Sequence, residues 1–190
     1  GVDLSRDMLS QAAQKARDAG LEIPFVCQDM CHLQLHRRQD AILCTCDGVN
    51  YLTTPDRARH FFRAAYAQLK PGGALIFDVS TPEKLSGTLG DHTLGCQEED
   101  ISYIWQNAYH PRTRTVDMRL SIFVGDTDGR YQRLEETQTQ RAHTLEELTK
   151  YLVEAGFADI RAYGKLTLRA PRPGDERWHI RAIRPKENAK

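Results

Sequence analysis

The sequence predicts an α/β fold, a doubly wound and mainly parallel sheet that carries a three-stranded antiparallel insertion. Three observations lead there. Through Val79, continuously apolar strand-like runs alternate with amphipathic helical stripes, at the spacing of right-handed crossovers. Residues 101–142 then lose the helical stripe and alternate apolar with polar side chains. After His143 a capped helix and further strands resume the first pattern.

Gly1-Val2-Asp3 reads as the end of a strand. Ser5 caps the helix that follows, with Met8, Leu9, Ala12, Ala13 and Ala16 as its apolar stripe and Gly20 as its stop. Phe25-Val26-Cys27 is a short strand running into Gln28-Asp29-Met30, and Ala41-Ile42-Leu43-Cys44 is apolar throughout, as in a parallel strand covered on both faces. Thr54 caps the next helix, Pro55 opens it and Asp56 complements its dipole, while Ala58, Phe61, Phe62, Ala65 and Leu69 form its inner face. Lys70-Pro71-Gly72-Gly73 ends that helix as a turn, and Ala74 to Val79 is another buried strand.

Within the insertion, Ile101, Tyr103 and Trp105 mark one strand, and Val116, Met118, Leu120, Ile122 and Val124 a second. Gly125-Asp126-Thr127-Asp128-Gly129 is a hairpin turn, and a more polar third strand follows Tyr131. Thr144 and Glu147 form a capping box for a helix bearing Leu145, Leu148, Leu152 and Ala155, which Gly156 ends. A strand around Ile160 comes next, then a turn at Ala170-Pro171-Arg172-Pro173-Gly174 and a last strand from Trp178 to Ile183. The tail after Arg184 is expected to fray.

A chain of 190 residues is long enough for one domain with a substantial core. Its 26 basic and 26 acidic residues cancel, so there is no electrostatic reason to expect a nucleic-acid or anionic-membrane partner. No apolar run approaches the roughly 20 residues of a membrane span. The five cysteines are odd in number and two lie in a strand-like run, which points to reduced thiols and a cytoplasmic setting. Cys27, Cys31 and His32 lack the usual zinc-ligand spacing, so no metal site is expected.

The candidate chemistry lies at strand ends. A carboxylate such as Asp3 can accept from both hydroxyls of a ribose, and Asp29 can accept from an adenine amino group while Met30 packs on the ring. With Thr45-Cys46-Asp47-Gly48, three successive strand ends deliver small or polar groups to one edge of the sheet, where open α/β sheets bind ligands.

Val2-Asp3-Leu4-Ser5, Gln28-Asp29-Met30, Asp40-Ala41-Ile42-Leu43-Cys44, Leu69-Lys70-Pro71-Gly72-Gly73, and His143-Thr144 before a Leu-rich helix ending Ala155-Gly156-Phe157 together resemble the class I S-adenosylmethionine-dependent methyltransferases. The resemblance implies a Rossmann-like sheet and S-adenosyl-L-methionine as cofactor. It divides the chain into a cofactor-binding core over 1–96, a substrate lid over 97–142, and a C-terminal helix and strands over 143–190. It implies that Asp3 grips the ribose with Leu4 on the adenine, that Asp29 and Met30 hold the adenine, and that Thr45, Cys46 and Asp47 meet the methionine end. Asp47, Asn50 and Tyr51 would face the methyl group and the acceptor, with Tyr103, Trp105, Tyr109, Arg141 and His143 as further candidate substrate contacts; His110 is expected in an exposed turn. Asp47, Tyr51 or His143 could take a proton from an amine, and no spacing singles out one catalytic residue.

A small-molecule acceptor is the favoured reading, and the lid is a surface on which a homodimer could form. Two other readings stay open: a NAD-dependent oxidoreductase, since Asp3 would also suit NAD, and a non-catalytic binding module of the same fold. The glycine-rich phosphate loop normally stands about 20 residues before the ribose-binding acid. That loop and the first strand are therefore expected to lie before residue 1, which is not expected to be the biological start.

Overall fold

A computed structural model describes residues 1–186. Among these, ten strands form three sheets. The first is a parallel ribbon of β1 (Val2–Asp3) and β2 (Val26–Cys27), joined by helix α1 (Arg6–Asp18). The second has the order β3-β4-β10-β9, from β3 (Gln39–Cys44), β4 (Leu69–Ser80), β9 (Ala158–Gly164) and β10 (Arg177–Ile183). Strands β3 and β4 are parallel, whereas β10 runs antiparallel to both its neighbours. The ribbon and this sheet share no strand-to-strand hydrogen bonding.

Local signals fix the helices. Helix α2 (Pro55–Gln68) begins where the Thr54 side chain accepts from Arg57 N, and it buries Ala58, Phe61, Phe62 and Ala65 as expected. Phe62 packs at a tilt against Phe61 and against Phe77 of β4, with ring centroids 5.3 and 5.4 Å apart. Helix α3 (Leu145–Ala155) starts with the Thr144–Glu147 capping box and adds Leu148, Tyr151 and Leu152 to the same core. Full burial of a Phe or Leu contributes about 1.5–3 kcal/mol, so these two helices anchor the sheet. The stripe of α1 behaves differently: Ala16 is buried, but Met8 is 61% exposed.

The Lys70–Gly73 turn is a kink inside a continuous strand. Gly72 takes φ +83° and donates to Arg184 O, and a Cβ on Gly73 would lie 2.9 Å from Lys70 O. The chain bulges there: β3 pairs Gln39 with Leu69 and Ala41 with Ala74, so Lys70–Gly73 loop out between the two pairings.

The insertion has four strands, not three. β5 (Thr93–Gln97), β6 (Ile101–His110), β7 (Thr115–Gly125) and β8 (Tyr131–Arg141) pair antiparallel in sequence order. The added β5 is short, exposed and interrupted by Gly95, so it has no alternation to read. A π-helical turn, Lys84–Leu89, also lacks a sequence signature. It inserts Leu85 and Leu89 against Val116, Met118, Trp105, Tyr109 and Leu120, forming a second apolar cluster under the lid. Beyond residue 186 the expected frayed tail lies outside the described residues.

Candidate active site

β1 and β2 run parallel in the ribbon, β3 and β4 run parallel in the main sheet, and Arg177 stands at the carboxyl end of β4 because β10 begins opposite Ser80. At the end of β1, Asp3 is exposed and one carboxylate oxygen accepts from Ser5 N at 2.8 Å, which starts α1. Its neighbour Leu4 is 63% exposed. After β2, Asp29 accepts from Cys31 N at 2.9 Å and from Arg57 Nη2 at 3.1 Å. Burial pushes the Asp29 pKa up, but the Cys31 N–H and Arg57 outweigh it and hold it below the usual value. Met30 is half-buried against the main core.

After β3 the backbone turns sharply. Cys46 and Asp47 both sit in the left-handed region, at φ 58° and 62°. Such positions cost non-glycine residues of order 1–3 kcal/mol each. Gly48 follows because a Cβ there would lie 2.7 Å from Cys44 Sγ. Ser80 Oγ donates to Asp47 Oδ1 at 2.9 Å, and Arg177 contacts the two Asp47 oxygens at 2.7 and 2.9 Å. Arg177 also bonds Asp78, whose carboxylate accepts from Asp47 N at 3.4 Å. These groups overdetermine a turn that would otherwise relax. Thr45 and Cys46 stay exposed and, with Asp47, Asp78, Arg177 and His179, line a cavity of about 410 Å³.

The expected acceptor contacts separate into two groups. Tyr51 is 40% exposed and donates its hydroxyl to Gln138 Oε1 of the lid at 2.6 Å, while Tyr103 and Trp105 are half-buried on β6. Asn50, Arg141 and His143, by contrast, are inside the protein. Asn50 bonds Ser80 and Arg141 main-chain groups; Arg141 donates to Glu147 Oε1 at 3.0 Å. His143 Nε2 lies 3.0 Å from Leu52 O, and its Nδ1 lies 3.5 Å from Arg141 Nη1. Burial and then the charge of Arg141 lower the His143 pKa to about 4, so it is neutral near pH 7 and donates through Nε2. These three hold the lid root from inside the protein, and none of them lines the 410 Å³ cavity.

His110 ends β6 and faces Asp117 at 2.9 Å, instead of lying in a turn. A second cavity, of about 590 Å³, is lined by lid strands alone, including His110, Asp117, Arg119 and Thr139. Asp78, Ser80, Lys84 and Arg177 are site residues that the sequence did not single out. One signal was present: an aspartate inside the apolar run Ile76-Phe77-Asp78-Val79 needs a cation or donors wherever that run is buried.

A Rossmann-like sheet with acidic and turn-forming strand ends and an antiparallel insertion matches the class I S-adenosylmethionine-dependent methyltransferases, and this chain belongs to that family. Residues 1–73 match a family described as "Methyltransferase domain". YqeM of Bacillus subtilis (strain 168), a protein named provisionally as a methyltransferase, is 36% identical over 187 residues, 98% of this chain and 75% of its own length. A crystal structure of an S-adenosylmethionine-dependent methyltransferase from Clostridium acetobutylicum ATCC 824 superimposes with TM-score 0.91 at 31% identity, covering 98% of this chain and 74% of that one. CalS10, an amino pentose methyltransferase from Micromonospora echinaspora, shares the fold with TM-score 0.72 at 23% identity, covering 97% of this chain and 72% of its own. The family's cofactor is S-adenosyl-L-methionine, and family membership displaces the nicotinamide reading that Asp3 alone left open.

Proposed function

We propose that this protein transfers the methyl group of S-adenosyl-L-methionine to a small-molecule acceptor held beneath the lid. The observation that carries this reading is the strained Cys46–Asp47 turn, stabilised by Arg177 and Ser80 and placed four residues before Tyr51, which touches the lid. Strain retained at a strand end beside a cavity is a mark of a binding site.

The donor set suits the cofactor. Asp3 has a carboxylate oxygen not engaged by Ser5 and would take the ribose hydroxyls, with exposed Leu4 beside the adenine. Asp29 and Met30 would border the adenine, and Thr45, Cys46 and Asp47 the methionine end. When bound, the cofactor would supply an electrophilic methyl on a sulfonium: the acceptor's lone pair would bond to that carbon in line as the carbon–sulfur bond breaks, with S-adenosylhomocysteine as the leaving group. That displacement removes charge, so the protein's part is alignment and exclusion of water. Tyr51, Tyr103 and Trp105 would shape the acceptor pocket. Asp47, held on both oxygens by Arg177 and Ser80, shapes the turn.

Amino pentose chemistry in CalS10, and the sugar N-methyltransferase KedS8 from Streptoalloteichus sp ATCC 53650 with TM-score 0.71, share the scaffold and make a compact polar acceptor a reasonable first panel. Among the described residues no helix is long and apolar enough to cross a membrane. We place the reaction in the cytoplasm on the cysteine argument, and the lid is the surface offered for a homodimer. The test is transfer of isotope-labelled methyl from the cofactor to a size-fractionated cell extract. Label in the small-molecule fraction supports the reading; label only in protein or nucleic acid contradicts it.

A further inference from the structure

Asn50 is fully buried and every polar atom of its carboxamide is committed. Nδ2 donates to the carbonyls of Ser80 and Arg141, each at 3.0 Å, and Oδ1 accepts from Ser80 N at 2.9 Å. Those partners stand 30 and 91 residues away in sequence. Ser80 ends β4, and Arg141 ends β8, where the lid rejoins the core. The Ser80 hydroxyl then donates a hydrogen bond to Asp47 Oδ1 at 2.9 Å and accepts from Lys84 Nζ at 3.1 Å. One amide therefore joins the lid root, the end of the central strand and the left-handed turn.

The residue type fits the task. An asparagine side chain brings two N–H donors and a carbonyl acceptor within a short reach; aspartate has no donor when ionised, and serine has only one. His143 repeats the connection from the other side, bonding Leu52 O two residues beyond Asn50. Glu147 fixes the same root from α3 by accepting from both Arg114 and Arg141. The lid is thus tied to the core most directly at the loop that borders the cavity.

We propose that Asn50 is a positioning residue for methyl transfer, its carboxamide coupling the lid root to the Cys46–Asp47 turn through Ser80. The inference rests on the cofactor reading given above. In physical terms, a ligand that orders the turn orders the lid root as well, and the link is reciprocal.

Hydrogen–deuterium exchange of the full-length protein, with and without S-adenosylhomocysteine, tests the coupling. In the wild type, the ligand is expected to slow exchange across residues 45–52 and also across 139–143. In Asn50→Ala it should slow the first segment and leave the second unchanged, with affinity reduced about tenfold. Ser80→Ala keeps both main-chain bonds to Asn50 and removes the hydroxyl's bonds to Asp47 and Lys84. It is expected to fold normally and to show the same separation of the two segments. Undiminished ligand protection of 139–143 in these variants overturns the proposal. If the wild type gains no protection anywhere, the cofactor reading fails by itself, and the ligand-free arm decides. There Asn50→Ala should speed exchange at 139–143 and 45–52 selectively, against a Leu152→Ala control matched in melting temperature. Identical patterns in the two variants overturn the proposal as well.

Discussion

Arg177, the first residue of β10, holds the carboxylate of Asp47 at 2.9 Å across 130 residues of chain. The same guanidinium bonds Asp78 near the carboxyl end of β4. Arginine suits this place because its planar fork can serve two carboxylates at once.

Replacing Arg177 with methionine keeps the stem's packing and strands two acids with low exposure. Removing one partner of a buried pair costs about 3–5 kcal/mol; with Arg177 about a quarter exposed, roughly 2 kcal/mol is expected. Urea unfolding should show that loss, and the relaxed turn should weaken S-adenosylhomocysteine binding at least tenfold. Unchanged binding in a folded variant contradicts the role given to the turn.

His143 makes stability depend on pH. Its folded pKa of about 4 lies below the ordinary 6.5, so between those values the unfolded chain binds more protons. Stability is whole above pH 6.5 and falls as the pH drops toward 4, by at most about 3 kcal/mol from this group. Urea midpoints at pH 7 and pH 5 should differ less in His143→Gln than in the wild type. Equal pH dependence in both proteins contradicts the assignment.

Glu147 closes the capping box of α3 and receives Arg114 and Arg141. Burial raises its pKa, but Thr144 N–H and the two arginines more than offset that, so it is charged at neutral pH. Glu147→Gln should keep the cap and lose the ion pairs, lowering stability by about 1–2 kcal/mol. Exchange should quicken first at Arg141 and Ala142.

Tyr51→Phe removes the bond to Gln138 at a position 40% exposed. Stability should change by less than about 1 kcal/mol. Once an acceptor is known, its KM should rise while S-adenosylhomocysteine affinity stays constant. A loss of cofactor affinity alone contradicts the placement of Tyr51 on the acceptor side.

Helix α2 was legible because its signals are local: Thr54, Pro55 and a stripe of phenylalanines declare start and inner face. The strand-end acids were legible for the same reason. Strand β5 was not, since five residues around Gly95 carry no period, and its pairing with β6 supplies what the local chain lacks. Asn50, Arg141 and His143 are polar residues beside a site, and sequence alone does not show which way such a side chain points. Asn50 and His143 are turned inward by carbonyls 91 residues away, and Arg141 by Glu147 of α3. Arg177 was hidden likewise, except for the demand that Asp78 makes from inside an apolar strand.

The central claim is that the strand-end edge from Asp3 to Asp47 holds S-adenosyl-L-methionine. Isothermal titration of the full-length protein with S-adenosylhomocysteine tests it most directly. One site per chain, weakened by Asp3→Ala and by Arg177→Met, is the expected result; no heat of binding from a folded full-length protein would contradict it.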